Sequence, residues 1–214
     1  MKNTLKKITI DGKMIRRLIM TVVGIYLTAV SVAVFRKALL GVDPFTVLVE
    51  AMENVSGYRY GIVFPAVQVV LLLITFIFGR KYINFGTILT LFCIGFLVDK
   101  TSIVINYILP NPNLSQRVIT LIIGLILVCF AGSLYMTANL GVSAYDAMAL
   151  IIHDRTKKIP FRICRIGTDL VCVIIGFIFH ANIGIGTLIT ALFMGPLVQF
   201  FNQKISIPIM NGKK

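Results

Sequence analysis

The chain has 214 residues, 57% of them hydrophobic, with a mean hydropathy of +0.93 and a formal net charge of +13. A water-soluble core of this size does not need so much apolar sequence, so the composition excludes an ordinary soluble globule and points to the lipid bilayer. The 21 Lys and Arg against 8 Asp and Glu would suggest nucleic acid as a partner of a soluble chain, but here they stand between apolar runs with no aromatic-interleaved basic face, so they read as orientation signals and not as a nucleic-acid surface.

Residues 1–17 read as a basic cytoplasmic tail. The apolar segment near 18–40 follows it like the core of a cleavable signal, but it is too long for one and has a counterpart later in the chain, so it is a retained span. Further apolar segments lie near 61–79, 83–107, 117–139, 161–179 and 183–202. At about 1.5 Å per residue, each reaches or approaches the roughly 30 Å of a hydrocarbon core.

The segments repeat. Gly24, Leu27, Leu40-Gly41-Val42, Gly86-Thr87, Thr90, Gly95 and Leu97-Val98 reappear one hundred residues later as Gly124, Leu127, Leu140-Gly141-Val142, Gly186-Thr187, Thr190, Gly195 and Leu197-Val198, without a gap. Overall identity is low, but the matches fall on glycines and their neighbours, where backbone geometry is least negotiable. Residues 18–108 thus form a first membrane repeat and 117–203 a second, joined by a turn-rich outer linker at 109–116 and followed by a cytoplasmic tail at 204–214. Three spans per repeat force the second copy to enter from the opposite face. The predicted fold is an all-α integral membrane protein of six transmembrane helices, a 3+3 inverted-topology repeat with a short half-helix or interfacial helix after the first span of each copy. With the N-terminus inside, sixteen of the 21 basic residues fall on the cytoplasmic side and five (Arg36, Lys37, Arg59, Lys100 and Arg117) on the outer side, so both termini are expected in the cytoplasm.

The short helices start at Leu40-Gly41-Val42-Asp43-Pro44-Phe45 and Leu140-Gly141-Val142-Ser143-Ala144-Tyr145-Asp146. Asp43 is an N-cap with Pro44 at the first helical position; Ser143 is an N-cap with Asp146 three residues on. A helix of about 12 residues spans only about 18 Å, enough to reach the midplane but not to cross. Two placements fit. Half-helices dipping in from opposite sides would point their positive ends at a central site for an anionic or polar group, whereas interfacial helices would lie on the surface, where the Glu50 and Glu53 pair would be at ease.

Ionisable residues inside spans need a reason to be there. Arg162, Arg165 and Asp169 share one face of the fifth span, with Arg165 at i+4 from Asp169, so that face looks onto protein or water. It is either a polar track into the central site or a structural ion pair. Asp99 and Gln199 occupy equivalent places near the ends of the third and sixth spans, as a symmetric pair or as polar helix ends. Thr87 and Thr187 are weaker candidates for contact with solute, since a threonine there also bonds back to the preceding turn. Gly86, Gly95, Gly186 and Gly195 are the expected helix-packing glycines. Tyr58, Tyr60, Tyr82, Tyr107 and Tyr135 lie near segment ends, as interfacial anchors do. The four cysteines sit in apolar segments without CxxC spacing, His153 and His180 have no partner motif, and no nucleophile with base and orienter is visible, so neither metal, cofactor nor enzymatic activity is expected.

With the two capped segments, Gly86-Thr87 and Gly186-Thr187-Leu-Ile-Thr-Ala191, the chain resembles the YczE/YitT-like family of small bacterial integral membrane proteins from about residue 18 to 203. In such sequences the capped segment often reads Gly-x-x-Pro, then an aromatic and Asp. Here Pro44 stands in the first copy against Ala144 in the second, and Asp146 in the second against Thr46 in the first, so the copies are not equivalent. The resemblance implies a multi-pass protein of the bacterial cytoplasmic membrane and brings no substrate. The expected function is a transporter or channel-like protein for a small polar or anionic solute, with Asp43, Ser143, Asp146, Arg162, Arg165 and Asp169 on its pathway. Alternatives are a substrate-binding subunit served by a separate ATPase and a non-transporting membrane regulator; a homodimer through glycine-bearing faces is compatible with each.

Overall fold

The computed structural model describes residues 12–212, so Lys2, Lys6, Lys7, Lys213 and Lys214 of the orientation argument lie outside the described residues. Every regular element among these is helical: α1 Gly12–Ala38, α2 Pro44–Ser56, α3 Tyr60–Phe78, α4 Phe85–Ile108, α5 Leu114–Ala138, α6 Ala144–Thr156, α7 Phe161–Ile178 and α8 Ile185–Phe201, the last running on through a π-helical turn, Asn202–Ser206, into α9, Ile207–Asn211. A single 3₁₀ turn, Arg80–Tyr82, links α3 to α4. The chain is already helical at Gly12, within the stretch expected as tail.

Among the described residues, five helices are long and apolar enough to cross a bilayer: α1, α3, α4, α5 and the continuous Ile185–Asn211 unit. Their outer faces carry exposed large side chains such as Val22, Tyr26, Val70, Leu73, Phe92, Phe96, Ile119, Ile122, Leu188 and Phe193. No water-soluble surface tolerates such a belt; lipid does. This is an integral membrane protein. The sixth expected span, α7, has 18 residues and carries three charged ones, Arg162, Arg165 and Asp169, which sets it apart from the other five.

At the centre, α1 and α5 pack along each other. A Cβ on Gly24 would lie 3.0 Å from Ala131 O and Tyr135 Cβ, and one on Gly124 would lie 3.3 Å from the Phe35 ring, so the two helices meet where each has least bulk. Residues rising along α1 meet residues falling along α5; the helices are antiparallel. Arg17 on α1 closes the end of α5 by donating to Ala138 O at 2.6 Å.

The two halves of the chain are interlocked rather than side by side. Gly86 N–H, opening α4, donates to Leu140 O at 2.7 Å, and Gly186 N–H, opening α8, donates to Leu40 O at 2.8 Å. Each half's loop is therefore held by the start of a long helix of the other half. The short helices are exchanged likewise: α2 packs on α7 and α6 on α3.

Both short helices are capped as their residue types require. Asp43 accepts from Thr46 N–H at 3.1 Å with Pro44 following, and Ser143 accepts from Asp146 N–H at 3.1 Å. The helices have 13 residues each. They are embedded in the bundle, with Val47, Val49, Ala51 and Ala149 fully buried. The expectation that Glu50 and Glu53 favour a surface position for α2 is corrected by a residue from another helix: Arg36 of α1 reaches Glu50 at 3.1 Å and Glu53 at 2.8 Å, supplying the counter-ion that lets both leave water.

Candidate functional site

Because both short helices begin inside the bundle, their first turns meet. Phe45 and Tyr145, one hundred residues apart and each two positions after an N-cap, stack with centroids 4.5 Å apart. Beside this stack lies a cavity of about 550 Å³, a volume typical of small-molecule sites. Its wall includes Asp43, Ser143, Asp146, Arg162, Arg165 and Asp169, the six residues singled out in sequence as a possible pathway.

Arg165 organises the polar wall. Its guanidinium pairs with Asp146, lies 3.3 Å from Asp169 and sits over the Tyr145 ring at 4.4 Å. Asp146 also accepts from the Tyr135 hydroxyl and, at 2.7 Å, from Ser143; Asp169 accepts from the Tyr145 hydroxyl. The i+4 spacing on α7 foretold the weaker half of this network, while the pair to Asp146 joins α7 to the start of α6. Tyr145→Phe keeps the ring stack and removes one hydrogen bond to a buried carboxylate. It is expected to lower stability by about 1.5–3 kcal/mol in detergent unfolding; an unchanged midpoint would show that Arg165 alone satisfies Asp169.

Arg162 is exposed and sits on the cavity wall one turn before Arg165. Gln199 also lines the cavity, whereas Asp99 accepts from Gly61 N–H at 3.2 Å and ties α4 to the start of α3. Thr87 and Thr187 lie away from the cavity: the Thr87 hydroxyl donates to Val142 O at 2.7 Å, and the Thr187 hydroxyl accepts from Gly184 N–H at 3.3 Å. Gly86 and Gly186 lie against the opposite repeat's loop, Gly95 packs on Gly61 and Pro65, and Gly195 faces the cavity with room for a side chain.

Two tyrosines expected at the interface are instead inside. Tyr60 is 1% exposed and Tyr135 9%, and both line the cavity; Tyr58 and Tyr107 are exposed as expected. The end of a helix is the edge of the bundle only if nothing folds over it, and here α2 and α6 do. Gln68, fully buried in α3, and Asn202 in the π-helical turn are further cavity residues without a sequence signal. Phe45 and Tyr145 did have one, in their equivalent places after the two caps.

Away from the cavity, Asp154 at the end of α6 accepts from Lys81 and Tyr82, whose hydrogen bonds hold its carboxyl below the usual range. This surface cluster fastens α6 to the α3–α4 turn.

The profile of a family described as "Family of unknown function (DUF6198)" matches residues 15–203, nearly all of the helical bundle. The chain belongs to this family. Among curated proteins, this DUF6198 member is 26% identical over 179 residues to "Uncharacterized protein YyaS" of Bacillus subtilis (strain 168), covering 84% of the chain and 89% of that protein. It is 25% identical over 183 residues to "Uncharacterized membrane protein YczE" of the same organism, covering 85% and 82%. It is also 25% identical over 162 residues to an uncharacterized protein of Haemophilus influenzae, covering 76% and 72%. The resemblance to YczE drawn from the capped segments is thus borne out for this chain. No solved structure matches this DUF6198 protein at a significant level.

Proposed function

We propose that the protein is a transporter or channel-like protein of the bacterial cytoplasmic membrane, moving a small polar solute through the cavity where the two short helices meet. The observation that carries this reading is the meeting of two buried helix starts at a polar cavity, in a chain whose halves repeat. Half-helices ending at the midplane, from opposed repeats, are how transporters build a solute site within the bilayer.

In this reading six spans form a 3+3 inverted repeat. The antiparallel pair α1 and α5, the reciprocal bonds Gly86 to Leu140 and Gly186 to Leu40, and the exchanged packing of α2 and α6 all support it. Helix α7 completes the set by amphipathy: Ile163, Leu170, Val171, Ile174 and Phe177 face outward, while Cys164, Asp169, Cys172 and Gly176 are buried. Its charged face then meets the cavity and not lipid.

The repeats differ in one respect that matters for access. Helix α3 packs along α4, but their counterparts α7 and α8 barely touch, and the cavity wall runs from Phe161 and Arg162 on α7 to Gln199 on α8 and Asn202 in the π-helical turn. With both termini cytoplasmic, this gap opens inward. Closing α7 on α8 while parting α3 from α4 would present the same site outward.

Purified protein in sealed liposomes is expected to carry a solute-dependent flux that Asp169→Asn and Asp146→Asn abolish while both variants still insert. Full flux in both would remove these carboxylates from the mechanism, and silence of the folded wild-type protein over a broad solute panel would favour a subunit that needs an energising partner, or a regulator.

A further inference from the structure

The polar groups around the cavity are not evenly satisfied. Arg165 is shared between Asp146 and Asp169, and Asp146 has three donors. Asp43 is the exception. Its Oδ1 accepts from Thr46 N–H, but its Oδ2 has no well-formed hydrogen bond among the described residues, and neither has the hydroxyl of Tyr60, although the Thr46 side chain lies beside both. Both residues are more than nine-tenths buried, at 8% and 1% exposure, and both line the same cavity. A buried carboxylate oxygen and a phenol left without partners are costly to maintain unless a ligand supplies what is missing.

The charge around the cavity says what that ligand carries. Three carboxylates, Asp43, Asp146 and Asp169, face two guanidiniums, Arg162 and Arg165, a balance of 2 − 3 = −1. Arg165 is already engaged by two carboxylates, and Arg162 is exposed. The helix starts themselves do not restore an anion site. The first turn of α2 is capped by Asp43 and that of α6 contains Asp146, so each positive helix end has a carboxylate on it. Near Asp43 the wall is aromatic: Phe45 meets Phe64 edge-on at 5.7 Å, and Phe64 lies 5.6 Å from Tyr60. A carboxylate oxygen, a hydroxyl and ring faces together complement a cation bearing N–H donors and a small apolar body.

We propose that the cavity takes a small organic cation with N–H donors, a protonated amine or a guanidinium, held by Asp43 and Tyr60. The assignment rests on the cavity being a solute site, and it replaces the anion suggested by two helix starts in sequence. Asp43 is the counter-ion, Tyr60 accepts a second N–H through its hydroxyl oxygen, and the Phe45, Phe64 and Tyr60 rings cover the apolar part.

The test uses the full chain, purified in detergent and also reconstituted in liposomes, with ethylammonium and guanidinium as N–H cations, tetramethylammonium as a cation without N–H, acetate and inorganic phosphate as anions, and glycerol as a neutral donor, all at fixed ionic strength. Ethylammonium and guanidinium are expected to raise the unfolding midpoint in a saturable way, tetramethylammonium less, and the anions and glycerol not at all. Asp43→Asn should weaken ethylammonium binding at least tenfold. Asn caps a helix as well as Asp does, so this variant keeps the start of α2. Tyr60→Phe should weaken it several-fold with the ring packing intact. Equal ethylammonium binding in wild type and both variants would overturn the assignment, as would saturable binding of phosphate, acetate or glycerol with the N–H cations silent. Silence of the whole panel in folded protein overturns it too. Amine binding without flux would support the cation site and sink the transport reading, whereas flux of an anion would do the reverse.

Discussion

Arg165→Met is expected to cost about 3 kcal/mol of stability and to abolish solute flux. The guanidinium is the counter-ion of two carboxylates whose side chains are only 6% and 10% exposed, and removing it leaves both without a cation. Breaking a buried ion pair by deleting one partner costs roughly 3–5 kcal/mol, and the 21% exposure of the Arg165 side chain puts this site near the lower end. Unfolding of purified protein in mixed detergent gives the loss directly. Adding Asp146→Asn and Asp169→Asn to Arg165→Met should restore most of it, because the triple variant buries no charge at this point. Arg165→Lys should rescue only in part, since an ammonium does not offer the planar fork that reaches one carboxylate on α6 and another on α7. Wild-type stability in Arg165→Met would mean that the carboxylates are satisfied without it.

Gly41→Ala is expected to be of similar size for a different reason. Gly41 has φ +100°, outside the range that L residues adopt readily, and a Cβ there would lie 2.6 Å from Gly184 N and 2.7 Å from Thr187 Oγ1. Both obstacles belong to the start of α8, so relief requires moving the crossing between the repeats. Backbone strain of about 1–2 kcal/mol and overpacking of about 1–3 kcal/mol together predict a loss of about 2–5 kcal/mol. Gly57→Ala separates the two contributions. Gly57 also has positive φ, at +71°, but nothing lies within 4 Å of its would-be Cβ, so only strain of about 1 kcal/mol remains. Equal losses at Gly41 and Gly57 would show that close approach to α8 adds nothing.

Much of the local architecture was legible because its causes are local. Asp43-Pro44 and Ser143 with Asp146 define helix starts through hydrogen bonds spanning three residues, and the structure forms both within the bundle. Long apolar runs define membrane helices whatever packs on them. Helix α7 reads as a span by its apolar run, yet its three ionisable residues set it apart from the five long helices, because a charged face depends on what packs against it. The intermediate cases are those in which a local pattern has two outcomes: Thr87 and Thr187 follow glycines at helix starts, and only the neighbouring Leu140–Val142 loop decides that the Thr87 hydroxyl is used for docking.

By itself the sequence determined an all-helical membrane class, a repeat at one hundred residues and capped short helices after the first long one, since composition, periodicity and N-cap chemistry act within a few turns of chain. Only the tertiary structure decided which groups meet. Arg36 pairs with Glu50 and Glu53 across a loop, Arg165 finds Asp146 on another helix, Tyr60 and Tyr135 turn inward, and Asp43 is left with an oxygen that nothing in the described chain bonds. Such pairings join separate helices, and their energies exist only once the backbones cross. No local signal encodes them.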